Sequence, residues 1–114
     1  MIAVHLRIET DDRALCSDLL NSPAEIGPGS TTSVSEVGQL TLESLLVRKA
    51  FEFPETIKLL LSFASATALN VIGNWLYDKL KGRKIKLRIE QTEVEVDAQE
   101  IKRVLTRVIE KHEG

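Results

Sequence analysis

Leu59-Leu-Leu-Ser-Phe-Ala-Ser-Ala-Thr-Ala-Leu-Asn-Val-Ile-Gly-Asn-Trp-Leu-Tyr77 is the stretch on which the fold turns, nineteen consecutive residues without a charge. Pro54 or Glu55 can open a helix ahead of it, and Gly82 can close one as the residue after the C-cap. The pattern therefore predicts one long apolar helix over 55–80, with Lys79 and Lys81 near its C-terminus where cations suit the helix dipole. Its length also satisfies the requirement for a membrane span. Trp75 and Tyr77, followed by Lys79, Lys81, Arg83 and Lys84, resemble an interfacial belt with a positive flank. Against a span stand Ser62, Ser65, Thr67, Asn70, Gly73 and Asn74, which weaken insertion. A central helix in a water-soluble domain is the reading adopted. A membrane-associated component using residues 57–80 is the alternative.

Such a helix is apolar over more of its circumference than one small sheet can cover. Ile57, Leu61, Ala64, Ala68, Ile72 and Trp75 share a face, while Leu59, Phe63 and Leu69 lie away from it. An extra apolar face on a small domain marks an interface with another chain. The residues expected there are Leu59, Phe63, Ala66, Leu69, Trp75 and Tyr77.

Outward from this segment the pattern changes period. Toward the C-terminus, Ile85, Leu87 and Ile89 alternate with Lys86 and Arg88, and Val94 and Val96 continue after Gln91-Thr92, which reads as a strand hairpin. Placing Glu90 opposite Glu93 sets Ile89 against Val94, Leu87 against Val96, Arg88 against Glu95 and Lys86 against Asp97. Asp97-Ala-Gln-Glu100 then opens a final helix, with Asp97 as N-cap. Ile101, Val104, Leu105, Val108 and Ile109 form its inward stripe. Toward the N-terminus, Val4, Leu6 and Ile8 alternate with His5, Arg7 and Glu9 as a half-buried strand. Asp11 or Asp12 can cap a short helix over 12–21 that buries Leu15, Cys16 and Leu19 and ends at Pro23. Residues 22–36, rich in Gly, Pro, Ser and Thr, form a loop with room for one short strand. Residues 37–53 suit either a strand, through Leu40 and Leu42, or a helix, through Leu42, Leu45, Leu46 and Lys49. Phe51 and Phe53 before Pro54 read as buried anchors.

The expected object is a single α+β domain over 1–114. A small, mainly antiparallel sheet, made of the N-terminal strand and the C-terminal hairpin, packs with the long helix and the amphipathic final helix. A chain of 114 residues with 43% hydrophobic and 28% charged residues can build one core. With only 4% aromatics, that core must be mostly aliphatic. The net charge of −2 supplies no general attraction to nucleic acid or anionic membrane.

No catalytic constellation emerges. His5 and His112 have no evident base-orienting partner, and Gly27-Pro28-Gly29-Ser30 lacks the lysine and helix of a phosphate loop. Glu93, Glu95 and Asp97 could gather a divalent cation, but the facing Lys86 and Arg88 make salt pairs the simpler reading. The lone Cys16 offers neither disulfide nor zinc pattern. With an N-terminus too soon charged for a signal peptide, it fits a reducing cytoplasm. Lys79, Lys81, Arg83 and Lys84 remain as candidate anion or phosphate contacts. Scarce aromatics and nearby acids disfavour a nucleic-acid role. No cofactor is expected.

The layout resembles the effector-associated constant components, small proteins of bacterial conflict systems. Ile2–Asp12 looks like that family's first strand and its exit. Ala64–Leu80, with Trp75-Leu76 and then Lys81-Gly82-Arg83-Lys84, looks like its long alanine-rich helix and basic turn. Lys84–Ile109, with Val94-Glu-Val-Asp-Ala98, looks like its hairpin and final helix. Residues 22–53 depart from the family pattern, without its early second strand. The resemblance implies a non-catalytic adaptor or regulatory component of a defence system. Its implied partner is an effector protein, often protease-like; further copies of the chain are the partner that the extra apolar face suggests. It implies no catalytic residues.

Overall fold

The computed structural model describes residues 2–12, 14–20, 27–47 and 54–113, without the side chains of 112 and 113. The expected anchors Phe51 and Phe53, the helix stop at Pro23 and the side chain of His112 lie outside the described residues. The chain is α+β. Strand β1 (Ile2–Thr10) leads to helix α1 (Leu15–Leu20), then β2 (Thr31–Val34), β3 (Gly38–Val47) and β4 (Glu55–Phe63). A 3-10 turn (Ala66–Ala68) runs into α2 (Leu69–Leu80), followed by β5 (Ile85–Ile89), β6 (Thr92–Val94) and α3 (Ala98–Glu113). The strands form one antiparallel sheet in the order β2-β3-β4-β1-β5-β6.

The predicted helix over 55–80 is corrected here. Its first nine residues are strand β4 and only Leu69–Leu80 is α-helix. The physical reason lies in two superimposed periods. Ile57, Leu59, Leu61 and Phe63 are buried, while Lys58 is exposed and Leu60 and Ser62 are half-buried, an alternation of two. The same apolar residues also satisfy spacings of three and four. Only β1 on one side and β3 on the other, each offering a full ladder of backbone partners, select the extended form. The break falls at Ser65, whose backbone is extended (φ −153, ψ 161) and whose hydroxyl meets the Thr67 hydroxyl at 2.6 Å.

The sheet is consequently larger than the one expected. Of residues 37–53, which suited either strand or helix, Gly38–Val47 is β3 and 48–53 lie outside the described residues, and the Gly/Pro/Ser/Thr-rich loop does hold one short strand, β2. A register shift between Leu42 and Ser44 marks a bulge at Glu43 in β3. The β5–β6 hairpin turns at Glu90-Gln91, one residue earlier than the Gln91-Thr92 turn of the expected register. Leu87 faces Val94, Arg88 faces Glu93 and Ile89 faces Thr92. Glu90 takes a left-handed conformation (φ 55), which closes the hairpin in two residues. A shift of two residues leaves every side chain on its original face, so the inward set survives while its cross-strand partners change.

Val4, Leu6 and Ile8 of β1, with Ile57, Leu59 and Leu61 of β4 and Leu87 and Ile89 of β5, form one buried face. Helices cover that face. Leu15, Cys16 and Leu19 of α1, Ile72, Leu76 and Leu80 of α2, and Ile101, Leu105 and Ile109 of α3 complete the core. Gly73 lets α2 approach α3, since a Cβ there would sit 2.5 Å from Lys102 Cγ. Asp97 caps α3, accepting the Glu100 N–H at 3.1 Å, as the sequence predicts. The other face of the sheet carries His5, Arg7, Glu9, Lys58 and Arg88, none of them buried.

Candidate interaction surface

The expected interface residues do not form one surface. Leu59 and Phe63 point into the chain's own core, at 0% and 2% exposure, so their assignment to an intermolecular contact is corrected. They are inward residues of a central strand, positions a helical wheel cannot place. Ala66 is exposed in the 3-10 turn. Leu69, Trp75 and Tyr77 pack partly buried against the core. The exposed apolar surface is elsewhere, chiefly at the end of β3, where Leu45, Leu46 and Val47 are 38%, 47% and 60% exposed.

This run follows from the topology. β2 pairs with β3 only over Gly38–Thr41, so beyond the bulge β3 is an edge, hydrogen-bonded to β4 alone among the described strands. The bulge places Leu45 level with the inward Ile57, and Leu46 level with Thr56 on the opposite face. Consecutive apolar residues then appear on both faces of an edge strand. Native edges are usually blunted by charge, proline or brevity. The sequence does contain the signal, three apolar residues in a row at 45–47, but read as a helix they would belong to a core stripe.

The basic turn after α2 is already used within the chain. Arg83 forks between two carboxylates of the α1 region, pairing through Nη1 with Asp12 and through Nη2 with Asp18 at 2.6 Å. Its Nε–H also donates to the Lys79 carbonyl at 3.0 Å. These contacts raise its pKa, the hydrogen bond to Asp18 contributing most. Lys79 lies over the Trp75 ring, 5.6 Å from its centroid, and Lys81 over Tyr77 at 5.9 Å. Lys81 also pairs with Asp78 at 3.4 Å. Lys84 is engaged as well. Arg83, with Lys79, whose Nζ donates to the Asp18 carbonyl at 3.4 Å, thus fastens α2 to α1, while Lys81 is engaged within its own turn.

The nucleophile and base candidates have ordinary surroundings. Cys16 is buried, and burial, with Glu55 adding to it, pushes its thiol pKa up, away from the reactive thiolate. His5 meets Glu43 at 2.9 Å, and that hydrogen bond raises the imidazole pKa. Glu93 pairs with Lys86 at 3.3 Å. No group of three or more His, Cys, Asp or Glu among the described residues is placed to hold a metal ion. No helix among them is long and apolar enough to cross a membrane. At about 1.5 Å per residue α2 is roughly 18 Å long, against a hydrocarbon core of about 30 Å. The alternative built on a single apolar helix over 57–80 therefore loses that helix.

Compared with known proteins, the chain matches no family model, no curated protein and no solved structure. Its class is that of a small α+β domain with helices on one face of an antiparallel sheet.

Proposed function

We propose that this chain is a non-enzymatic interaction module, the adaptor or regulatory component of a bacterial defence system. It engages an effector protein, further copies of itself, or both. The observation that carries the interaction reading is the exposed run Leu45-Leu46-Val47 on the edge of β3, which offers an apolar strand for another strand to join. The defence setting rests on the resemblance of the strand, Trp-Leu helix, basic turn and hairpin to the effector-associated constant components. A cytoplasmic location goes with it.

The test is co-purification with the proteins encoded beside it, together with sedimentation of the isolated chain. Leu46→Lys and Val47→Lys change exposed positions and should leave the fold intact. They are expected to release a partner or to lower the sedimentation mass toward 12.7 kDa. A wild type that sediments as a monomer at every accessible concentration and captures none of its encoded neighbours would end this reading.

A further inference from the structure

The face of the sheet that no described helix covers brings together three cations that are far apart in the sequence. Arg7 of β1 is directly opposite Lys58 of β4 and, on its other side, directly opposite Arg88 of β5. Directly opposed residues on antiparallel strands have Cα atoms about 4.5–5.5 Å apart, so the three charges issue from a line roughly 10 Å long. Like charges set directly opposite each other destabilise a sheet.

The acids around the row are already engaged. Glu9 pairs with Arg7 at 3.2 Å, Glu43 with His5 at 2.9 Å and Glu93 with Lys86 at 3.3 Å. Glu90 accepts the His5 backbone N–H at 3.2 Å. Among the described residues, neither Lys58 nor Arg88 has a carboxylate within ion-pairing distance, although Glu93 lies opposite Arg88 across β5–β6. The Nε–H groups of Arg7 and Arg88 are covered and have no hydrogen-bond partner among the described residues. Beside the row is a shallow hollow of about 170 Å³, lined by His5, Leu6, Arg7, Glu43, Lys58 and Glu90.

From this juxtaposition we infer that Lys58, Arg7 and Arg88 form a binding site for a compact diphosphate group, free or carried by a nucleotide. Guanidinium forks match phosphate oxygens in pairs. With Glu9 already on Arg7, Lys58 and Arg88 are left uncompensated, more than a lone carboxylate neutralises, whereas a diphosphate carries several charges within a short span. An extended polyanion such as a nucleic-acid strand is disfavoured, because Glu9, Glu43, Glu90 and Glu93 border the row and would meet its neighbouring phosphates. The hollow, about 170 Å³ and also lined by Glu43 and Glu90, is smaller than the roughly 300–1,000 Å³ of pockets for drug-sized ligands, so the phosphates sit on the Lys58–Arg7–Arg88 row at its rim and any nucleoside lies outside it. This site is independent of the β3 edge.

The experiment is calorimetric titration of the full chain with inorganic pyrophosphate, and separately with ADP, at low ionic strength. Saturable one-to-one binding is expected. Lys58→Ala and Arg88→Gln should each weaken it at least about tenfold, equivalent to about 1.4 kcal/mol, without lowering the melting temperature, since each relieves like-charge repulsion. Lys81→Ala, in the basic turn, should leave binding unchanged. Equal affinity for the two probes assigns the site to the phosphates alone, and tighter ADP binding assigns it to a nucleotide. Amide chemical shifts of the wild type should move on β1, β4 and β5 when pyrophosphate is added, a readout that needs no variant. The inference is overturned if neither probe binds saturably, if Lys58→Ala and Arg88→Gln bind as the wild type does, or if Lys81→Ala is the variant that loses binding.

Discussion

Replacing Arg83 with alanine should loosen the joint between α1 and the α2–β5 turn. The guanidinium holds Asp12, Asp18 and the Lys79 carbonyl, and Asp12 in turn accepts the Ala14 N–H at 2.9 Å just ahead of α1. One side chain therefore links residues seventy-one positions apart. Charged hydrogen bonds contribute about 1.5–3 kcal/mol when sheltered, and exposed ion pairs only about 0.2–1 kcal/mol. Arg83 is 25% exposed, Asp12 32% and Asp18 47%, so the Asp12 pair falls between these limits and the Asp18 pair near the lower one. The loss should total about 2–3 kcal/mol, or roughly 10 °C in Tm for a domain of this size. Urea denaturation followed by circular dichroism, alongside calorimetry, measures it. Arg83→Lys keeps the charge without the fork and should recover less than half of the loss. Added salt should narrow the gap between wild type and Arg83→Ala, because part of it is screened Coulomb energy. A Tm change below about 2 °C for Arg83→Ala would refute the argument, since the basic turn would then be a solvated surface feature rather than a fastener.

Three further outcomes are expected. Phe63→Glu puts a carboxylate at a core position that is 2% exposed, so the variant should fail to fold cooperatively instead of folding as a dissociated monomer; a native circular dichroism spectrum would contradict the placement of β4. Asp97→Ala removes the cap of α3 and should cost about 0.5–2 kcal/mol in chemical denaturation. The raised pKa of His5, caused first by its hydrogen bond to Glu43, means that the folded state holds the imidazole proton more tightly than the unfolded chain does. That stabilisation is complete below the unfolded value of about 6.5 and is lost as pH rises through the higher folded value. With His5 60% exposed, the gain on going from pH 8 to pH 5.5 should stay below about 1 kcal/mol and should vanish in His5→Gln, as measured by urea midpoints.

Elements in which one period stands alone are legible in the chain's own residues. In α3, Ile101, Val104, Leu105 and Ile109 admit only a helical stripe behind a recognisable cap, and in β1 the alternation of Val4, Leu6 and Ile8 with His5, Arg7 and Glu9 admits only a half-buried strand. Both are present where the pattern puts them. Where apolar residues filled both periods, local chemistry left the choice open. Residues 55–63 became a strand because β1 and β3 supply backbone partners on either side, and residues 38–47 became one because β4 does. Those ladders join segments distant in the chain, so no window of sequence contains them. The same holds for the surface. The basic run from Lys79 to Lys84 is conspicuous in sequence, yet its charges are largely spent within the fold. Arg7, Lys58 and Arg88 are inconspicuous in sequence and become neighbours only through strand register. Hydrophobic periodicity is a property of neighbouring residues, whereas strand pairing and the charge patterns it assembles are properties of segments that meet only in the folded chain.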